Sequence, residues 1–175
     1  MLSTLEFSFF QKSQSSKHLF SPKMQIINLS ENTDMSQVSL ALNENKGNNK
    51  YGSMFMMKDR IELVTTQPIQ DYRIYNSENG KTFLCVKCPQ LKASIKALSE
   101  RFNKEQKYDF KPEKDVLYLK ITNDQPLAIP KNQKLNVALL VYGVFSQAST
   151  GLSFLQMEVT DFKAYPLVEF AAVPQ

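Results

Sequence analysis

Few residues in this chain are equipped for chemistry, and their spacing restricts what they can do. Cys85 and Cys88 form CVKC, a spacing used by zinc sites and dithiol redox centres. However, TFLCVKC alternates like a strand, and an offset of three in a strand sends the two thiols to opposite faces. Four zinc ligands would have to come mainly from carboxylates, because His18 is the sole histidine. Two reduced cysteines are expected, with no metal and no cofactor. A Ser-His-Asp or Cys-His arrangement would hang on His18, which lies in a polar N-terminal stretch. Glu158 and Asp161 are close in sequence, but in an extended chain they too point to opposite faces, which suits neither acid–base catalysis nor a cation. The phosphate-cradling patterns G-x-x-x-x-G-K-[ST] and G-x-G-x-x-G do not occur. The expectation is a protein that is not an enzyme and acts through a surface.

What remains is the chemistry of recognition. Tyr51, Phe55, Arg60, Tyr72, Arg73 and Tyr75 interleave rings with cations in strand-like segments, as a nucleic-acid groove does. Tyr72 and Phe83 serve equally well as cross-strand packing partners. The net charge of +4 is uneven, since residues 81–120 carry 10 Lys and Arg against 5 Asp and Glu. Lys87, Lys92, Lys96, Arg101, Lys104 and Lys107 supply that surplus, which fits a polyanion-binding surface or an ordinary solvated helix face.

These residues need elements to position them. Twelve Phe, seven Tyr and many short β-branched runs in 175 residues point to one β-rich domain. Residues 1–50 are expected to form an N-terminal extension: LEFSFF and MQIINL as a strand arm, QVSLALNE after them, and NENKGNNK as an exposed loop. Residues 51–175 form the main domain. GSMFMMK and RIELVTT are two short strand candidates, and DYRIY and KTFLCVK flank a turn at Asn79-Gly80. In QLKASIKALSERFN, Leu91, Ile95, Leu98 and Phe102 recur at helical spacing, so residues 90–103 form the one convincing helix, with Pro89 in its first turn. DVLYLKIT reads as a further strand.

The stretch KLNVALLVYGVFSQASTGLSFLQMEVTDFKAY is a hairpin. Strict alternation puts Val137, Leu139, Val141, Gly143 and Phe145 on one face of its first strand, and Ala138, Leu140, Tyr142 and Val144 on the other. That strand is expected to be covered on both sides and bent at Gly143. In the second strand, Phe154, Gln156, Glu158, Thr160 and Phe162 share a mixed polar and aromatic face. Cover by the C-terminal LVEF explains Phe162; a base-stacking platform explains Phe154.

Residues from about Tyr51 to Tyr165 resemble an OB-fold β-barrel, with the helix between its third and fourth strands and the final hairpin closing it. KLNVALLVYGVF, a Ser/Thr-Gly turn and GLSFLQMEVTDF resemble single-stranded DNA-binding proteins of bacteriophages and large DNA viruses. The resemblance implies sequence-independent binding of single-stranded DNA, or RNA, in replication or recombination. The matched positions are Tyr142, Phe145, Phe154 and Gln156, with stacking as the role of the rings. Replication proteins and a second copy of the chain are the further partners it implies, although VEFAAVPQ lacks the acidic tail of many phage members. The start MLSTLEFSFF has no cationic leader and no 18-residue apolar run occurs, so no membrane is expected; the location is cytoplasmic, or the host cytoplasm or nucleus for a viral chain. The alternative is a structural or assembly β-sandwich, a virion component or protein–protein module.

Overall fold

The structure, a computed structural model, describes residues 23–44, 47–105, 108–110, 114–121, 129 and 132–166. In chain order the elements are β1 (Lys23–Asn28), β2 (Gly47–Asn49), β3 (Gly52–Val64), β4 (Tyr72–Asn76), β5 (Thr82–Val86), α1 (Pro89–Glu105), β6 (Leu117–Ile121), β7 (Gln133–Gln147) and β8 (Ser153–Pro166). His18 and the C-terminal LVEF lie outside the described residues. The protein is mainly β with one helix among the described residues, as its composition implies.

One mixed sheet runs β1-β3-β7-β8-β6-β5-β4, with β2 also on β3. Pairs β1·β3 and β6·β8 are parallel and the others antiparallel. Among the described residues no strand pairing joins the two ends of this path, β1 and β4. The sheet nevertheless curls. Ile69, three residues before β4, exchanges both backbone hydrogen bonds with Leu135 of β7, at 2.7 and 2.9 Å, and the Tyr72 hydroxyl of β4 donates to the Gln133 carbonyl at 2.7 Å.

Two expectations change on the N-terminal side. GSMFMMK and RIELVTT are one 13-residue strand, β3, in which a register irregularity between Met56 and Ile61 stands where two strands were expected. β1 and the segment after it do not stand apart from the main domain: Leu29, Met35, Val38 and Leu40 are buried in the same core as the helix. Part of the NENKGNNK loop is β2, which folds back on β3.

Bulges explain where simple alternation fails. Opposite β8, Val141 pairs with Met157 and Gly143 with Gln156, leaving Tyr142 as an extra residue; Val144, not Gly143, then continues the core face. An extra residue in one strand inverts the side-chain phase beyond it. Position 143 must be glycine because an added Cβ would lie 2.6 Å from the Phe55 carbonyl oxygen and 2.8 Å from Met54 Cε. Thr160 is the corresponding extra residue in β8, so Phe162 falls opposite Val137 and packs on the core. The same bulge places Glu158, opposite Leu140, and Asp161, opposite Ala138, on one face, where alternation had separated them. The β4–β5 turn closes as expected: Gly80, at φ 80°, donates to the Ser77 carbonyl at 3.1 Å, and Ser77 donates to the Lys81 carbonyl at 2.8 Å.

The core lies between the concave side of the sheet and α1. Leu91, Ile95, Leu98 and Phe102 of α1 meet Leu84 and Val86 of β5, Leu117, Leu119 and Ile121 of β6, and Leu135, Val137, Leu139 and Val141 of β7. Each fully buried large side chain contributes about 1.5–3 kcal/mol. Cys88 precedes Pro89 and its sulfur accepts the Gln90 and Leu91 N–H groups, so the thiol caps α1. The two cysteines are free, buried and split as the sequence spacing requires: Cys88 in the core, and Cys85 in register with Tyr118 on the other side of the sheet.

Candidate functional site

The sheet face turned away from α1 collects rings and cations. On β5 the core positions are Leu84 and Val86, so Phe83 and Cys85 point the other way. Register extends this face sideways: Arg73 and Tyr75 on β4 stand opposite Cys85 and Phe83, and Tyr118 and Lys120 on β6 flank the same two residues. Lys120 is in register with Glu158 of β8. From there the face continues through Gln156 and Phe154 to Gly143 and Phe145 of β7, and to Met54 and Met56 of β3.

The rings are mutually supported. Tyr75 meets Tyr118 edge-on with centroids 6.0 Å apart and Phe83 at 6.3 Å, and the Arg73 guanidinium lies 6.0 Å from the Tyr75 centroid. Tyr118 is 49% exposed and Tyr75 41%, so both offer ring surface to solvent. Phe145 and Phe154 stand opposite each other, both half-buried. Of the positions expected from the sequence, Arg60, Arg73, Tyr75, Tyr142, Phe145, Phe154 and Gln156 share this face. Burial pushes the Tyr142 phenol above its usual value, with Glu158 acting the same way and Arg60 opposing, which places Tyr142 among charged groups of β3 and β8. Glu62, 1% exposed and opposite Leu140, accepts a hydrogen bond from Thr160 Oγ1 at 3.2 Å on the same side.

Other expected positions fall elsewhere. Phe55 is on the core side, with its ring 5.8 Å from Tyr108 in a cluster with Phe102 and Phe110. Tyr72 is a half-buried structural residue through its bond to Gln133. Tyr51, 64% exposed with Lys50 Nζ 5.1 Å from its centroid, sits in the turn between β2 and β3.

Of the ten cations of residues 81–120, Lys107 and Lys111 lie outside the described residues, and three of the others hold ion pairs. Lys87 faces Asp71 at 3.8 Å, and Lys92 holds Asp115 at 2.7 Å, which keeps that carboxyl below its usual value. Arg101 Nη1 donates to the Met35 and Val38 carbonyls, each at 2.7 Å, while its Nε meets Glu105 at 2.7 Å. Lys96 is exposed on α1, on the far side from the ring face. The helix cations Lys92, Lys96 and Arg101 are thus separate from the aromatic face, whereas Lys120 belongs to it.

No family model, curated protein or solved structure matches this chain. The face therefore has to be read from its own geometry. Among the described residues no cluster of three or more His, Cys, Asp or Glu is placed to hold a metal ion, and no helix is long and apolar enough to cross a membrane. The sequence reading missed Tyr118 and Lys120 as site residues. Their signal was present in LYLKI, which buries every second residue and exposes the two between.

Proposed function

We propose that this chain binds single-stranded DNA, without catalysis and without sequence preference, on the sheet face opposite α1. The observation that carries the reading is the convergence of Tyr75, Phe83, Tyr118, Phe145 and Phe154 with Arg73 and Lys120 on one partly exposed surface. Every base has a π-face, so a ring platform accepts any sequence, and nearby cations hold the phosphates. The OB-fold reading is supported by the five-strand path β4-β5-β6-β8-β7 and by the return of Ile69 to β7, which together suit a partly open five-stranded barrel, although α1 then falls between the second and third of these strands and not, as expected, between the third and fourth. The face suits single-stranded RNA by the same chemistry, and a role in viral or phage replication follows only from the resemblance in the hairpin.

Fluorescence anisotropy with labelled oligo-dT across a salt series tests the reading. Affinity should fall linearly with salt on logarithmic axes. No binding at low salt, or binding indifferent to salt, refutes it.

A second reading has its own observation. β4 ends the described sheet path, and its Ile74 and Tyr75 are 38% and 41% exposed, an edge that another strand could extend. An assembly module built on that edge forms concentration-dependent oligomers without nucleic acid. Size-exclusion chromatography with and without oligonucleotide separates the two readings.

A further inference from the structure

β6 and β8 pair in register only at Lys120–Glu158 and Ile121–Val159 among the described residues. Toward their N-termini they part. The segment ahead of β6 meets the start of β8, where Phe110 bridges to Ser153 and the Ser153 N–H donates to the Asp109 carbonyl. Between these two junctions the sheet has a window, a cavity of about 300 Å³ bordered by Phe110, Lys114 and Tyr118 on one side and Phe154, Leu155 and Met157 on the other.

We infer that this window is a slot for a single unstacked base of the bound strand, an inference that rests on the single-strand-binding reading above. The slot is aromatic at its rim, where Tyr118 and Phe154 belong to the ring face, and apolar at its floor, where Leu155 and Met157 pack against the core. Tyr75 meets the Tyr118 ring edge-on. Charge at the mouth suits a base that carries its phosphates: Lys114 lines the cavity and is exposed, neighbouring Asp115 is taken by Lys92, and Lys120 stands beyond the window, at the β6–β8 junction, in register with Glu158. Strand edges that part also present peptide N–H and C=O groups, which match the polar edge of a base. A purely aliphatic ligand would leave both features unused.

Two measurements on the full chain test the slot. The first fills it: Met157→Trp is expected to weaken binding of oligo-dT by about 5- to 150-fold, the range for one lost stacked base, while binding of an abasic strand of equal length stays as in the unaltered protein. The second needs no variant. Irradiating the wild-type complex with an oligonucleotide carrying 5-iododeoxyuridine, followed by peptide mapping, should cross-link Tyr118, Phe110 or Phe154. Cross-links confined to Tyr75, Phe83 or Phe145, or an M157W variant that binds oligo-dT like wild type, overturn the slot and leave the binding face standing. A wild-type protein that binds no oligonucleotide overturns both.

Discussion

Arg101 offers the sharpest separation between a phosphate-binding cation and a structural one. Its Nη1 bridges two carbonyls, those of Met35 and Val38, at 2.7 Å each, and both residues are buried, at 5% and 7% exposure. Arg101→Ala removes two charge-assisted hydrogen bonds, each in the range of about 1.5–3 kcal/mol when fully shielded. The side chain is 22% exposed, so water can reach part of the vacated site and the net cost falls to about 2–3 kcal/mol. The pair with Glu105 on the helix surface adds about 0.3–0.5 kcal/mol. For a domain with a urea slope of about 2 kcal/mol/M, the unfolding midpoint should drop by about 1 M. Arg101→Lys keeps the charge but has no planar fork to span two carbonyls and a carboxylate, so it should recover less than half of the loss. Oligonucleotide affinity, measured by anisotropy well below the midpoint, should stay within twofold of wild type. An R101A protein as stable as wild type but weak in binding would refute the assignment and make Arg101 a phosphate ligand.

Three further outcomes are expected. Gly143→Ala forces β7 from β3, because the new methyl would sit 2.6 Å from the Phe55 carbonyl oxygen; urea melts should register about 1–3 kcal/mol of destabilisation. Tyr75→Ala should lower oligo-dT affinity by about 5- to 150-fold, and Lys120→Ala should reduce the salt slope by about one, both in anisotropy titrations. Burial holds the Cys85 and Cys88 thiols above their ordinary value of 9.0, so neutral thiols favour the folded state. That contribution is complete below the unfolded thiol's value and is lost as pH rises through the folded one. Near neutral pH both thiols should resist Ellman's reagent until urea unfolds the chain, and fast labelling of either in the native protein would contradict their burial.

Local patterns in the sequence sufficed for the helix, the hairpins and most of the core. The α1 stripe of Leu91, Ile95, Leu98 and Phe102 is a property of its own spacing, and Pro89 and Gly80 mark boundaries through their backbone preferences alone. The alternation of LYLKI likewise already separates Tyr118 and Lys120 from the core. What a residue does on its face was decided by tertiary structure. A strand has a side-chain period of two, so the extra residues at Tyr142 and Thr160 invert everything beyond them, and only the partner strand reveals an extra residue. That is why Phe162 turned inward and why Glu158 and Asp161 came to share a side. Arg101 spends its donors on carbonyls more than sixty residues away in the chain. The gap between β6 and β8 exists because two strands 36 residues apart in sequence meet at one end and part at the other. Local spacing carries no record of such non-local pairings, so most elements were legible in the sequence, while the continuity of β3, the pairing of β2 and the surface the elements build were not.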